Sequence, residues 1–96
     1  MPRYVTLVRF TDQGAKTVKD TVQRARAFRA DVERRGGKLG SIYWTQGAYD
    51  IVVTLDVPDE QTAMATIMAV GSLGNVRTET LRAFDEGEIE TILGKM

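Results

Sequence analysis

Residues 39–57 of the chain, LGSIYWTQGAYDIVVTLDV, predict a β-hairpin. Two runs rich in β-branched and aromatic residues, Leu39 to Thr45 and Tyr49 to Val57, flank the turn sequence Gln46-Gly47-Ala48. A glycine at such a turn supplies a positive φ angle, which other residues adopt only with strain. Pro58 cannot donate a ladder hydrogen bond and therefore ends the second strand.

The segments outside this hairpin add a strand and a helix on each side. Before it, Arg3 to Phe10 is rich in β-formers, and a helix follows that ends at Gly36-Gly37. After it, Asp59 caps a second helix that Gly71 terminates, and Asn75 to Phe84 forms a fourth strand. The order β-α-β-β-α-β predicts an α+β protein with an antiparallel sheet, in the ferredoxin-like split βαβ arrangement.

Two acidic residues with a glutamine or glutamate three positions later resemble helix capping boxes. Asp20 with Gln23 would begin the first long helix, and residues 15–18 would form a separate helical turn before it. Asp85 with Glu88 would begin a short C-terminal tail helix.

Alternation along the strands predicts a sheet that is partly apolar on both faces. We expect one face to meet the helices through Val5, Leu7, Ile51, Val53 and Leu55. The opposite face would carry Thr6, Val8, Phe10, Val52, Thr54, Val76, Thr78 and Thr80, which is too apolar for free exposure to water. A second copy of the chain would cover that face, sheet against sheet, to form a dimeric α/β barrel.

Composition excludes several classes of function. The 96 residues predict a single domain spanning residues 1–96. Lysine plus arginine and aspartate plus glutamate number 13 each, so no basic field would hold nucleic acid. The chain contains neither cysteine nor histidine, and we therefore expect no cofactor and no metal site. No signal peptide or membrane span is apparent, which predicts a cytoplasmic protein.

The segments FTDQG (10–14), YWTQGAYD (43–50) and SLGNVRTETLRAF (72–84), with the acidic tail, resemble the GYD domain family. The glycine, tyrosine and aspartate of the family signature fall on Gly47, Tyr49 and Asp50. This resemblance covers essentially the whole chain. It implies a small ferredoxin-like protein that assembles as a dimeric α/β barrel, and it implies no agreed activity.

The candidate ligand-binding residues are Asp50, Tyr43, Trp44, Arg77 and Tyr49. Tyr49 is expected on the helix side of the sheet, and Asp50 on the barrel side, where it would accept hydrogen bonds from hairpin amides or pair with an arginine. Tyr43 and Trp44 should lie on opposite faces of an edge strand, where large aromatics most often mark an interface.

Two functional hypotheses follow. In the first, the protein is a non-catalytic homo-oligomer that binds a small ligand or serves as an assembly module. In the second, it is a cofactor-independent oxygenase or isomerase with its site in the barrel cavity, where Asp50 would act as base and Tyr43 or Arg77 would stabilise charge. A closed cavity in which Asp50 and an arginine converge would favour a ligand-binding or catalytic role.

Overall fold

The computed structural model describes the whole chain, Met1–Met96. In chain order the elements are β1 (Arg3–Phe10), α1 (Asp12–Lys16), a 3-10 turn (Val18–Asp20), α2 (Thr21–Arg34), β2 (Lys38–Trp44), β3 (Ile51–Asp56), α3 (Glu60–Ser72), β4 (Val76–Ala83) and α4 (Glu86–Leu93). The four strands form one antiparallel sheet in the order β2-β3-β1-β4. The α+β class with an antiparallel sheet is therefore as the sequence predicts.

The helix boundaries follow largely from local hydrogen bonding. The Asp59 carboxylate accepts the Thr62 amide at 2.7 Å and begins α3. Asp85 and Glu88 form the reciprocal capping box of α4. Asp20 precedes α2, but its side chain makes no capping hydrogen bond, so the predicted box with Gln23 does not form. The Asp20 backbone is held in the preceding 3-10 turn instead, out of the extended conformation that side-chain capping requires.

The connection between β2 and β3 is longer than the sequence predicts. Strand β2 ends at Trp44 and β3 begins at Ile51, so Tyr49 and Asp50 belong to the loop and not to the strand. Within this loop Gly47 has a φ angle of +107°, which confirms the prediction of a positive φ at that position. No other atom lies near enough to crowd an added side chain there.

The helices cover one face of the sheet. The sheet residues on that face differ in part from those that the sequence predicts. The buried residues of the sheet are Tyr4, Thr6 and Val8 of β1, Leu39 of β2, Ile51, Val53 and Leu55 of β3, and Val76 of β4, and they pack against Val32 and Ala63 of the helices. For β3 the predicted side is correct. For β1 and β4 it is reversed.

The register shows the reversal directly. Thr6 lies opposite Val53 and Thr80, so the three share a face, whereas Leu7 lies opposite Val52 and Glu79. Val5 and Leu7 therefore lie on the face away from the helices, and Thr6, Val8, Phe10, Val76, Thr78 and Thr80 lie on the helix face. Both sets of β1 are apolar, so alternation alone could not assign the side.

No helix of the structure combines the length and the apolar character needed to span a bilayer.

Candidate interaction surface

The face of the sheet opposite the helices, called the open face below, has an apolar centre. It is built from Val5, Leu7 and Arg9 of β1, Tyr43 of β2, Val52 and Thr54 of β3, and Glu79 and Leu81 of β4. Leu81 is 50% exposed and Tyr43 67% exposed. Because successive side chains of a strand alternate between faces, these apolar side chains share one face. Val5, Leu7 and Val52 at its centre are half-buried, and the core that packs against the helices lies on the other face.

A charged cluster borders this patch where the β2–β3 loop meets the end of β1. The Tyr49 hydroxyl donates to Glu79 Oε2 at 2.9 Å, and the Arg9 guanidinium lies 4.5 Å from the centre of the Tyr49 ring. Arg9 Nε also donates to the Ala48 carbonyl at 2.9 Å, and Arg9 Nη1 is 4.0 Å from Glu79 Oε1. The cluster therefore presents both signs of charge next to an aromatic ring.

The phenol of Tyr49 is held in its protonated form. Its hydrogen bond to the Glu79 carboxylate is the main cause that raises the Tyr49 pKa above the usual value, and desolvation adds to the effect. A phenol with a raised pKa is a hydrogen-bond donor and a poor general base. The Tyr49 hydroxyl therefore acts in this cluster as a hydrogen-bond donor to Glu79.

This arrangement corrects the prediction for Tyr49. Strand alternation predicts Tyr49 on the helix side, but its contacts with Arg9 and Glu79 place it on the open face. The physical reason is the loop, because Tyr49 precedes β3 and the alternation of that strand does not reach it.

Asp50 ties the loop to the end of β1. Its carboxylate accepts the Phe10 amide at 2.8 Å, while its own amide donates to the Val8 carbonyl at 2.8 Å and its carbonyl accepts the Thr45 amide. Asp50 thus prolongs the hydrogen-bond ladder beyond β3 on both sides. The carboxylate binds a backbone amide of β1, neither a hairpin amide nor an arginine, and it forms no ion pair.

The remaining predicted site residues do not converge on Asp50. Tyr43 lies on the open face opposite Val52, while Trp44 lies on the helix side, where its indole Nε1 donates to Thr21 Oγ1 at 3.0 Å. The guanidinium of Arg77 donates to the carbonyls of Val76 and of Gly71, the latter near the end of α3. As predicted, Tyr43 and Trp44 lie on opposite faces of the sheet. No ion pair joins Asp50 to Arg77.

Arg9 and Glu79 belong to this surface but were not among the candidate residues predicted from the sequence. The sequence signal for Arg9 is its position two residues after Leu7, because residues two apart on a strand point to the same face. This signal locates Arg9 on the open face only once the face of Leu7 is known.

Nearly the whole chain is similar in sequence to a curated protein of about the same length. A curated relative from Thermus thermophilus is 29% identical over 90 residues, which is 93% of this chain and 95% of that protein. It is named glutamine synthetase and cystathionine beta-lyase binding protein.

Solved structures show the same fold at low sequence identity. The crystal structure of TTHA0845 from Thermus thermophilus is 24% identical, with a TM-score of 0.57, and the match covers 88% of this chain and 95% of that one. MtbAldR is 13% identical with a TM-score of 0.69, and the match covers 88% of this chain and 52% of that one. The chain thus corresponds to about half the length of MtbAldR. The family model of the GYD domain matches residues 4–93, and the chain therefore belongs to the GYD domain family.

Proposed function

We propose that the protein is a non-catalytic assembly module that pairs with a second copy of itself through the open face and binds other proteins as that pair. The uncovered apolar patch centred on Leu7 and Val52 carries this proposal. In a two-fold pair the same patch serves both copies, and the Arg9 and Glu79 charges beside it can find opposite charges across the interface. The 96 residues would act as one ferredoxin-like unit, and the pair as a dimeric α/β barrel.

The solvent-accessible area of the single chain supports the proposal that a second copy covers part of its surface. The chain of 10.7 kDa exposes 6429 Å2, whereas the scaling for compact monomers gives roughly 5500 Å2. The difference of roughly 900 Å2 is close to the ~800 Å2 that each partner contributes to a standard interface. The radius of gyration, 14.3 Å, likewise exceeds the roughly 12.5 Å of a compact domain of this length.

Helix α4 adds a second uncovered apolar surface. Ile89, Ile92 and Leu93 of α4 are exposed, as is Phe84 just before it. An ion pair between Arg82 and Glu88 at 3.6 Å connects the helix to β4. An amphipathic helix gains most of its stability from packing its apolar side, so this side is a further candidate for contact with another chain.

The binding of other proteins is proposed from the relative in Thermus thermophilus, whose name describes a protein that binds two enzymes. The enzyme hypothesis has less support. The Asp50 carboxylate is engaged by the Phe10 amide, and the Arg77 guanidinium by backbone carbonyls, so neither is directed at a common substrate position.

The self-pairing part is tested by placing a charge in the patch. Val52→Glu would bury an unpaired carboxylate in the interface and should convert the dimer to a monomer in light scattering. Val22→Glu is the matched control, because Val22 is an exposed valine of α2 and the same substitution there should leave the dimer intact. An unchanged dimer with Val52→Glu would refute the role of the open face.

The partner-binding part is tested with purified glutamine synthetase and cystathionine beta-lyase from Thermus thermophilus as probes in a surface-binding assay. We expect saturable binding of at least one enzyme to the native protein and loss of that binding with Val52→Glu. Absence of binding to both enzymes would contradict this part while leaving the self-pairing part standing.

A further inference from the structure

We infer that the space between the helices and the sheet is a binding site for a small apolar molecule that carries one anionic group. This site lies on the opposite side of the sheet from the open face, so it does not depend on the function proposed above. It is a partly open cavity of about 390 Å3. Pockets for small organic ligands begin at roughly 300 Å3, whereas ordinary protein interiors hold few voids larger than a water molecule.

The cavity exists because small residues occupy the helix positions above the sheet. Ala25 of α2 and Ala69 of α3 line it, at positions where a leucine would fill the space. The floor is apolar and includes Val8, Val53 and Val76 of the sheet. Helices α2 and α3 make little contact with each other, so the gap between them is left open.

The walls favour an apolar body for the ligand. Thirteen of the 20 lining residues are hydrophobic. Against these side chains a polar body would lose hydrogen bonds to water without replacing most of them, which costs free energy. An apolar body incurs no such penalty.

The charged residues of the lining favour one anionic group. They are Arg24, Asp31 and Arg34. Asp31 is neutralised by Arg34 at 2.9 Å and by Arg35 at 3.0 Å. Arg24 has no carboxylate partner, which leaves its charge available for a ligand.

Arg24 is also held in place in advance. Its guanidinium donates to the Thr17 carbonyl, the Thr17 hydroxyl and the Gly14 carbonyl at 2.9, 3.0 and 3.2 Å. A guanidinium has five N–H donors in a fixed plane, so two remain for a ligand. A cation fixed before binding loses little conformational entropy when the anion arrives.

Octanoate and 1-octanol are suitable probes, since they share an apolar chain and differ in charge. The only tryptophan, Trp44, reports on the cavity because its indole is hydrogen-bonded to the lining residue Thr21. We expect saturable changes of Trp44 fluorescence below about 1 mM octanoate and at least fivefold weaker binding of 1-octanol. Equal affinity for both probes would overturn the assignment of an anionic ligand, and no binding of either would overturn the site.

Filling the cavity separates it from other apolar surfaces. Ala69→Leu should weaken octanoate binding by about tenfold or more, because the leucine occupies the ligand volume. Ala65→Leu is the matched control, since Ala65 is exposed on the same helix and lies outside this cavity, and it should bind as the native protein does. Ala25→Leu fills the same space from α2 and replaces Ala69→Leu in the binding test if that variant does not fold. Native affinity in a folded filling variant would place the probe elsewhere and refute the site.

The arginine is tested separately. Arg24→Gln should lower octanoate affinity by about tenfold, the worth of a hydrogen bond to a charged group, and leave 1-octanol affinity unchanged. Arg26→Gln, an exposed position of the same helix, should alter neither. If Arg24→Gln lowered the affinity for octanoate and for 1-octanol equally, Arg24 would act only through the structure of the 14–17 segment. That result would refute its role in recognising the anion.

Discussion

Replacing Asp50 with alanine removes the acceptor that holds the Phe10 amide at the end of β1. The hydrogen bond measures 2.8 Å at a partly buried position, and its acceptor is a carboxylate oxygen. Loss of a hydrogen bond to a charged group, with the partner left unsatisfied, costs roughly 1.5–3 kcal/mol. We therefore expect Asp50→Ala to lower the free energy of unfolding by about 2 kcal/mol, and the melting temperature by roughly 8–16 °C.

Asp50→Asn gives a graded test of the same contact. The amide oxygen of asparagine can still accept the Phe10 amide but without the charge, so the loss should be about 1 kcal/mol. Asp20→Asn and Asp20→Ala are the matched controls, because the Asp20 side chain makes no capping hydrogen bond and both variants should unfold close to the native protein.

Urea unfolding followed by circular dichroism measures these differences, and an unchanged slope with denaturant would confirm that the midpoint shift reports stability. The reasoning fails if Asp50→Ala is as stable as the native protein. It also fails if Asp50→Asn forms a stable, native-like oligomer that has lost binding to a ligand or partner, since that outcome would make Asp50 a functional rather than a structural carboxylate.

Further predictions concern two glycines and one tyrosine. Gly47→Ala should cost about 1 kcal/mol through backbone strain alone, because its φ is +107° and nothing crowds the position. Gly14→Ala should cost about 3 kcal/mol in the same urea assay, since its Cβ would lie 2.0 Å from the Asn75 carbonyl oxygen; similar costs for the two variants would contradict this account. The Tyr49 pKa should lie above the usual value of 10.0 and fall in Glu79→Gln, as measured by tyrosinate absorbance. This contact contributes stability below the ordinary tyrosine pKa and loses it as pH rises through the folded pKa, so an identical titration of the two proteins would refute the hydrogen bond.

The sequence predicted the order of elements because each boundary has a local cause. Pro58 and Asp59 end β3 and begin α3 through their own backbone and side-chain chemistry, and Asp85 with Glu88 does the same for α4. Such signals act within a few residues and do not depend on the rest of the fold. The family resemblance is also carried by local segments, and the match over residues 4–93 confirms it.

The faces of the sheet depend on contacts that are distant in sequence. Strand β1 lies between β3 and β4, and both of its faces carry apolar residues, so Leu7 and Val8 were equally plausible neighbours for the helices. A displacement of one residue moves every side chain to the other face, which is why the assignments of β1 and β4 failed together.

The cluster of Arg9, Tyr49 and Glu79 could not be predicted from the sequence for the same reason. Its members come from β1, the β2–β3 loop and β4, and only the register brings them within hydrogen-bond distance. The cavity beneath the helices likewise depends on the spacing between α2 and α3, which no local pattern specifies.

The mass of the native protein in dilute solution tests the central claim most directly. Light scattering coupled to size exclusion, at micromolar concentration, should give about twice the chain mass of 10.7 kDa, because we propose that a second copy covers the open face. A folded, monodisperse species of 10.7 kDa that stays unchanged as the concentration rises would contradict the claim.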